Sequence, residues 1–114
     1  MLRSLCKLLL PGLLVMTCAM PALAAGDRII SQERKTFVIN KKRVETLKIK
    51  VGDTVRFRNE DRFFHNIYSL SDAKNFDLGS FRMGKYREVT FDKPGLVPIE
   101  CAIHPEMYME IEVL

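Results

Sequence analysis

No basic run in the 114-residue chain is longer than Lys41-Lys42-Arg43, so the sequence lacks the charged face that binding along nucleic-acid phosphates requires. No apolar run is long enough to cross a bilayer as one helix either, because Pro11 and Gly12 interrupt the first one. A Gly-rich phosphate loop and a nucleophile elbow are both missing, and with them the usual signs of phosphoryl or acyl transfer. Apolar residues almost nowhere recur at a period near 3.6, which excludes a helical bundle. The length excludes a multidomain enzyme, a transporter and a repeat array. With 47% apolar residues the chain still has enough for one packed core, so disorder is excluded as well.

The N-terminal stretch begins with Arg3 and Lys7, continues through Leu8-Leu9-Leu10 and Leu13-Leu14-Val15-Met16, and ends in Pro21-Ala22-Leu23-Ala24-Ala25. This is the pattern of a secretory signal peptide, residues 1–24, cut after Ala24 or alternatively after Ala25. A lipoprotein reading would make Cys18 an acylated anchor, but Thr17 before it is larger than the residue usual there. Cleavage leaves a domain over residues 25–114 with 16 basic and 14 acidic residues, bound for the periplasm. Cys6 and Cys18 leave with the peptide, and only Cys101 remains. A lone thiol in an oxidising compartment has to be buried or held by a metal.

From Thr36 onward the residues alternate as short strands do. Strands are expected at Thr36 to Ile39, at Leu47 to Val51 with Lys48 and Lys50 facing water, at Thr54 to Asn59, and at His65 to Ser69. Three more follow at Arg87 to Phe91, Leu96 to Cys101, and Met109 to Leu114. The polar stretch from Leu70 to Gly84 is expected to be a loop, with room for one short strand or helical turn, and residues 25–35 to be frayed or a first edge strand. Seven or eight short strands in one small domain predict an all-β sandwich.

Soft and ionisable donors are concentrated at two places. One is His65, and the other is Cys101-Ala102-Ile103-His104-Pro105-Glu106-Met107-Tyr108-Met109. A thiolate, two imidazoles and a weak thioether form the ligand set of a blue-copper electron-transfer site. Zinc is the next metal, although a structural zinc site more often uses two or more thiolates.

These residues resemble the cupredoxins, and among them the amicyanin and plastocyanin-like group. The matching pieces are Asn59-Glu60-Asp61, Phe64-His65-Asn66-Ile67-Tyr68-Ser69, Asp92-Lys93-Pro94-Gly95 and Cys101-Ala102-Ile103-His104-Pro105-Glu106-Met107. The resemblance implies a Greek-key β-sandwich holding one copper ion, with His65, Cys101, His104 and Met107 as ligands. Met109 is the competing axial ligand, and the expected alternation of Met109, Ile111 and Val113 assigns it to the core. Asn66 is expected to pin the two ligand loops. Ile103 stands where relatives commonly carry Pro, and its N–H is expected to reach the Cys101 sulfur and raise the reduction potential. The function so implied is single-electron shuttling by a monomer. Its partners would be redox proteins of dehydrogenase, cytochrome c or oxidase type, docking near His104. No enzyme activity is implied, nor any nucleic-acid partner, and membrane association only if Cys18 is lipidated. A copper carrier with the same fold is the alternative, and a β-module that has lost its metal is a weaker one.

Overall fold

Period-two burial runs through nearly every strand of the computed structural model, which describes Gly12 and residues 28–114. The signal peptide expected over residues 1–24, its expected cleavage positions, Cys6 and Cys18 lie outside the described residues. Ten strands and no helix are found among those residues. They are β1 (Arg28–Glu33), β2 (Thr36–Ile39), β3 (Lys42–Arg43), β4 (Thr46–Ile49), β5 (Thr54–Asn59), β6 (His65–Ser71), β7 (Lys74–Phe81), β8 (Tyr86–Thr90), β9 (Gly95–Cys101) and β10 (Tyr108–Val113). They form two five-stranded sheets, ordered β3-β2-β1-β5-β8 and β4-β10-β9-β6-β7. The β1/β5 and β4/β10 pairs are parallel and the others antiparallel.

The inward residues of both sheets make one core. Val55 and Phe57 of β5 meet Ile67 of β6, Val97 and Ile99 of β9, and Met109, Ile111 and Val113 of β10, all of them buried. Burying each such side chain contributes about 1.5–3 kcal/mol before entropy is counted, and this drives the sheets together.

The structure corrects the sequence reading in four places. The strand total is ten rather than seven or eight. Residues 28–33 are neither frayed nor an edge: β1 lies between β2 and β5, with Ile30 and Gln32 fully buried. The stretch expected to be a loop with at most one short strand or helical turn contains the eight-residue β7, an edge strand bonded only to β6. Its polar residues face solvent while Phe76, Leu78 and Phe81 turn toward the core. Finally, Val51 lies in the turn after β4 and is 48% exposed, so the aliphatic row of that strand ends at Ile49.

Strand direction decides where the loops gather. The end of β1 is level with the end of β5 (Gln32 beside Asn59), and β8 starts opposite Arg58. In the other sheet His65 opens β6 opposite Phe81, where β7 ends, and β10 starts opposite Glu100 of β9. Connections 34–35, 60–64, 82–85 and 102–107 therefore all open at one end of the sandwich. His65 and Cys101 sit at that end.

Candidate metal centre

His65 is the first residue of β6 and Cys101 the last of β9, and their strands are neighbours in register, with Ile67 opposite Cys101. The backbone of Asn66 closes the pair. Its N–H donates to the Cys101 sulfur at 3.5 Å, and its carbonyl accepts from the Ala102 N–H at 2.9 Å. The pinning expected of Asn66 is thus made by its main chain. Its side-chain oxygen is buried without a partner. Beside this clamp the β6/β7 register shifts between Asn66 and Tyr68, a bulge of the kind that re-aims side chains at sites.

The Nδ1 atom of His65 lies 3.6 Å from the Cys101 sulfur, and both side chains are essentially inaccessible to solvent. The His104 ring stands edge-on to that of His65, with centroids 5.2 Å apart, and its Nε2 is buried with no hydrogen-bond partner. Phe63 packs edge-on against both imidazoles, at 5.4 and 5.0 Å. After Pro105 the chain turns back, with the Met107 N–H donating to the His104 carbonyl at 2.9 Å, and this brings the Met107 side chain into the core. Met109 instead takes its place in β10 opposite Ile99, fully buried in the strand's apolar row.

His65 and Cys101 are therefore in contact, His104 is one ring away, and Met107 is buried at the end of the same loop. Among the described residues, no three His, Cys, Asp or Glu side chains are grouped closely enough to hold an ion as they stand. The Ile103 N–H makes no bond to the Cys101 sulfur. That sulfur receives one backbone donor, from Asn66. The potential-raising bond expected from the Ile for Pro difference is absent.

The sequence placed Asp61 within a matching motif but gave it no role. Its carboxylate lies 2.7 Å from His65 Nε2 and also accepts the backbone N–H groups of Arg34 at 2.6 Å and Lys35 at 3.1 Å. Asn59 holds the loop from below. Its Oδ1 accepts the Asp61 N–H, and its Nδ2 donates to the carbonyls of Phe63 and Phe81. An Asp in a polar loop four residues before a His shows no periodicity, so only its folded surroundings distinguish it.

The donors fit a copper ion: a buried sulfur in contact with an imidazole nitrogen, a second imidazole whose buried nitrogen lacks any partner, and a thioether within the same loop. Burial also sets the protonation states. It pushes His65 below its ordinary value of 6.5 in spite of Asp61, which acts the other way. Burial pushes Asp61 up, but the Lys35 N–H, His65 and the Arg34 N–H outweigh it and hold the carboxyl below its ordinary 3.8. Both folded values are depressed, so both contributions to stability are complete above the unfolded values and are lost on acidification. The metal-free domain is expected to lose melting temperature as pH falls below about 6.5, the unfolded His value, and to lose more below the ordinary Asp value. A melting temperature that holds level or rises through that window would contradict this.

No family model matches the sequence, and no curated protein does. Solved structures supply the deciding observation. A Cu(I) amicyanin variant superposes with a TM-score of 0.66 over 78% of this chain and 83% of that one, at 21% identity. This chain has the cupredoxin fold. A second, reduced amicyanin variant matches with a TM-score of 0.66 over 82% of this chain and 88% of that one, at 22% identity. The Cu-containing nitrite reductase (NirK) from Thermus scotoductus SA-01 matches at 27% identity and a TM-score of 0.68 over 77% of this chain. The cupredoxin sandwich described here spans only 22% of that enzyme's length.

Proposed function

We propose that the chain is an exported, monomeric, periplasmic type 1 copper protein that carries single electrons, with His65, Cys101, His104 and Met107 holding one copper ion. The observation that carries this reading is the buried contact of His65 Nδ1 with the Cys101 sulfur, beside the unpartnered buried nitrogen of His104. Copper bound there would supply a one-electron Cu(I)/Cu(II) couple. The protein's part is geometric. The strand ends fix sulfur and imidazole in advance, Phe63 and the core exclude water, and the short 104–107 turn limits how far the ligands move between oxidation states. The amicyanin neighbours support a carrier rather than an enzyme, and the nitrite reductase match covers only a small part of that protein.

His104 is the natural electron exit, being half-buried among the exposed Phe63, Phe64 and Ile103. Arg34, Lys35, Arg62, Arg82 and Lys85 are exposed at the same end of the sandwich. By contrast, Arg56 and Arg58 on the sheet face are paired with Glu88 and Glu60. Phe64, Arg82, Lys85 and Arg87 line one groove, and Arg34, Lys35 and Arg43 line another of about 470 Å³ that also holds Glu106, whose charge they offset. A transient redox partner with an acidic docking face fits this rim.

A copper carrier is the competing reading, and kinetics separate the two. The copper-loaded domain is expected to exchange electrons rapidly with hexacyanoferrate while retaining its metal against a chelator, and the rate is expected to fall as salt rises. Slow electron exchange with rapid loss of copper to the chelator would favour the carrier. A rate that rises with salt would contradict the cationic rim.

A further inference from the structure

We propose that Asp61 is a positioning residue for His65: it fixes the imidazole with the proton on Nε2 and the bare Nδ1 toward the Cys101 sulfur, and lowers the reduction potential of the centre. The part concerning potential rests on the copper reading above, whereas the part concerning the imidazole does not.

Burying a carboxylate is costly. Asp61 is 8% exposed, and an ionised group so enclosed is tolerated only when donors surround it. The loop supplies them. Oδ1 takes the Arg34 N–H, while Oδ2 takes the Lys35 N–H and stands 2.7 Å from His65 Nε2. An ionised carboxylate is acceptor-only, so the atom facing Oδ2 must be a donor. That places the ring proton on Nε2 and leaves the lone pair on Nδ1, 3.6 Å from the sulfur. Rotating the ring by half a turn would leave the carboxylate facing carbon, so the bond also locks the orientation.

The anchoring reaches further than one bond. Arg34 and Lys35 both adopt left-handed backbone conformations, with φ of 52° and 57°, unusual for side chains of this size. This turn joins β1 to β2 and aims two consecutive N–H groups at one carboxylate. The local conformational cost is offset by what the N–H groups hold. In addition, the Lys35 ammonium lies 5.6 Å from the Phe63 ring centre, and Phe63 packs against both imidazoles, so the same turn touches the centre twice.

A carboxylate behind an imidazole makes its far nitrogen a stronger donor than a neutral acceptor would. Stronger donation favours the more highly charged metal ion, so Asp61 holds the potential down.

Two measurements test this. In the metal-free protein, the ring nitrogens of His65 read by ¹⁵N NMR are expected to show the proton on Nε2. A proton on Nδ1 instead would overturn the proposal whatever copper does. In the copper-loaded protein, Asp61→Asn is expected to weaken Cu(II) binding by about 10–100-fold and Cu(I) binding by less, raising the potential. Asp61→Glu, which keeps the charge, is expected to restore part of the difference. Equal losses for both oxidation states would mean that Asp61 only clasps the turn, and would overturn its role in the potential. Should Asp61→Asn fail to fold, Asp61→Glu and the wild-type nitrogen spectrum still decide. A domain that binds no copper but shows Nε2 protonated would refute the copper reading and leave the positioning intact.

Discussion

Replacing Cys101 with Ser is expected to leave a folded domain without the redox couple proposed for it. The two side chains are close in shape, and the Ser hydroxyl can still accept the Asn66 N–H that the sulfur receives at 3.5 Å. Burying a hydroxyl where a thiol was costs about 1–3 kcal/mol, which a domain of this core size survives. The electronic loss is far greater. A hydroxyl is not ionised near neutral pH and offers a hard oxygen, so nothing in the site then stabilises Cu(I) except Met107 and the imidazoles. Voltammetry of the copper-loaded variant should show no reversible wave, while denaturant melts show cooperative unfolding. A variant that retained the wave would place the electron-accepting site elsewhere.

The second large effect separates the two methionines. Met107 and Met109 are equally buried, two residues apart, and burial alone does not rank them. Their backbones do. Met109 lies in β10 opposite Ile99 and continues the core row of Ile111 and Val113, whereas Met107 leaves the turn that begins at His104. A Leu of similar volume at either position should cost less than about 1.5 kcal/mol of stability. Met107→Leu is then expected to raise the reduction potential and change the copper spectrum, because a weak axial donor tunes the centre and Leu cannot donate. Met109→Leu is expected to leave both unchanged. The reverse pattern would transfer the axial role to Met109.

The sequence made visible those parts of the fold that alternation controls. Strands β5, β9 and β10 have one aliphatic or aromatic face and one polar face, so their period shows directly. The extent of β7 was hidden because an edge strand needs only one partner and can expose a polar face: Asn75, Asp77 and Ser80 read as loop until Phe76, Leu78 and Phe81 are seen turning inward. β1 was hidden for the opposite reason. Its buried positions include Gln32, whose amide donates to the Ile30 carbonyl at 3.0 Å, and a polar residue in a core row breaks the pattern. At the proposed site, the chemical types of His65, Cys101, His104 and Met107 and the family resemblance named the candidates, and of these the structure puts His65 and Cys101 in contact with the His104 ring beside them. The contact of Asp61 with His65 was not legible, because it depends on a turn some 26 residues earlier in the chain. Nor did the sequence reveal that Asn66 acts through its backbone, or that the Ile103 N–H makes no bond to the sulfur.

The type 1 copper site proposed for the buried sulfur and the two imidazoles is put to the test by the absorption spectrum of residues 25–114 during titration with Cu(II), followed by a mild reductant. A thiolate held in contact with His65 Nδ1 and kept from water should give an intense thiolate-to-copper band that saturates at one equivalent and bleaches reversibly. A pale adduct with only weak absorption, or a band that decays as the thiol oxidises, would contradict the account and leave a cupredoxin sandwich without the electron-transfer site proposed for it.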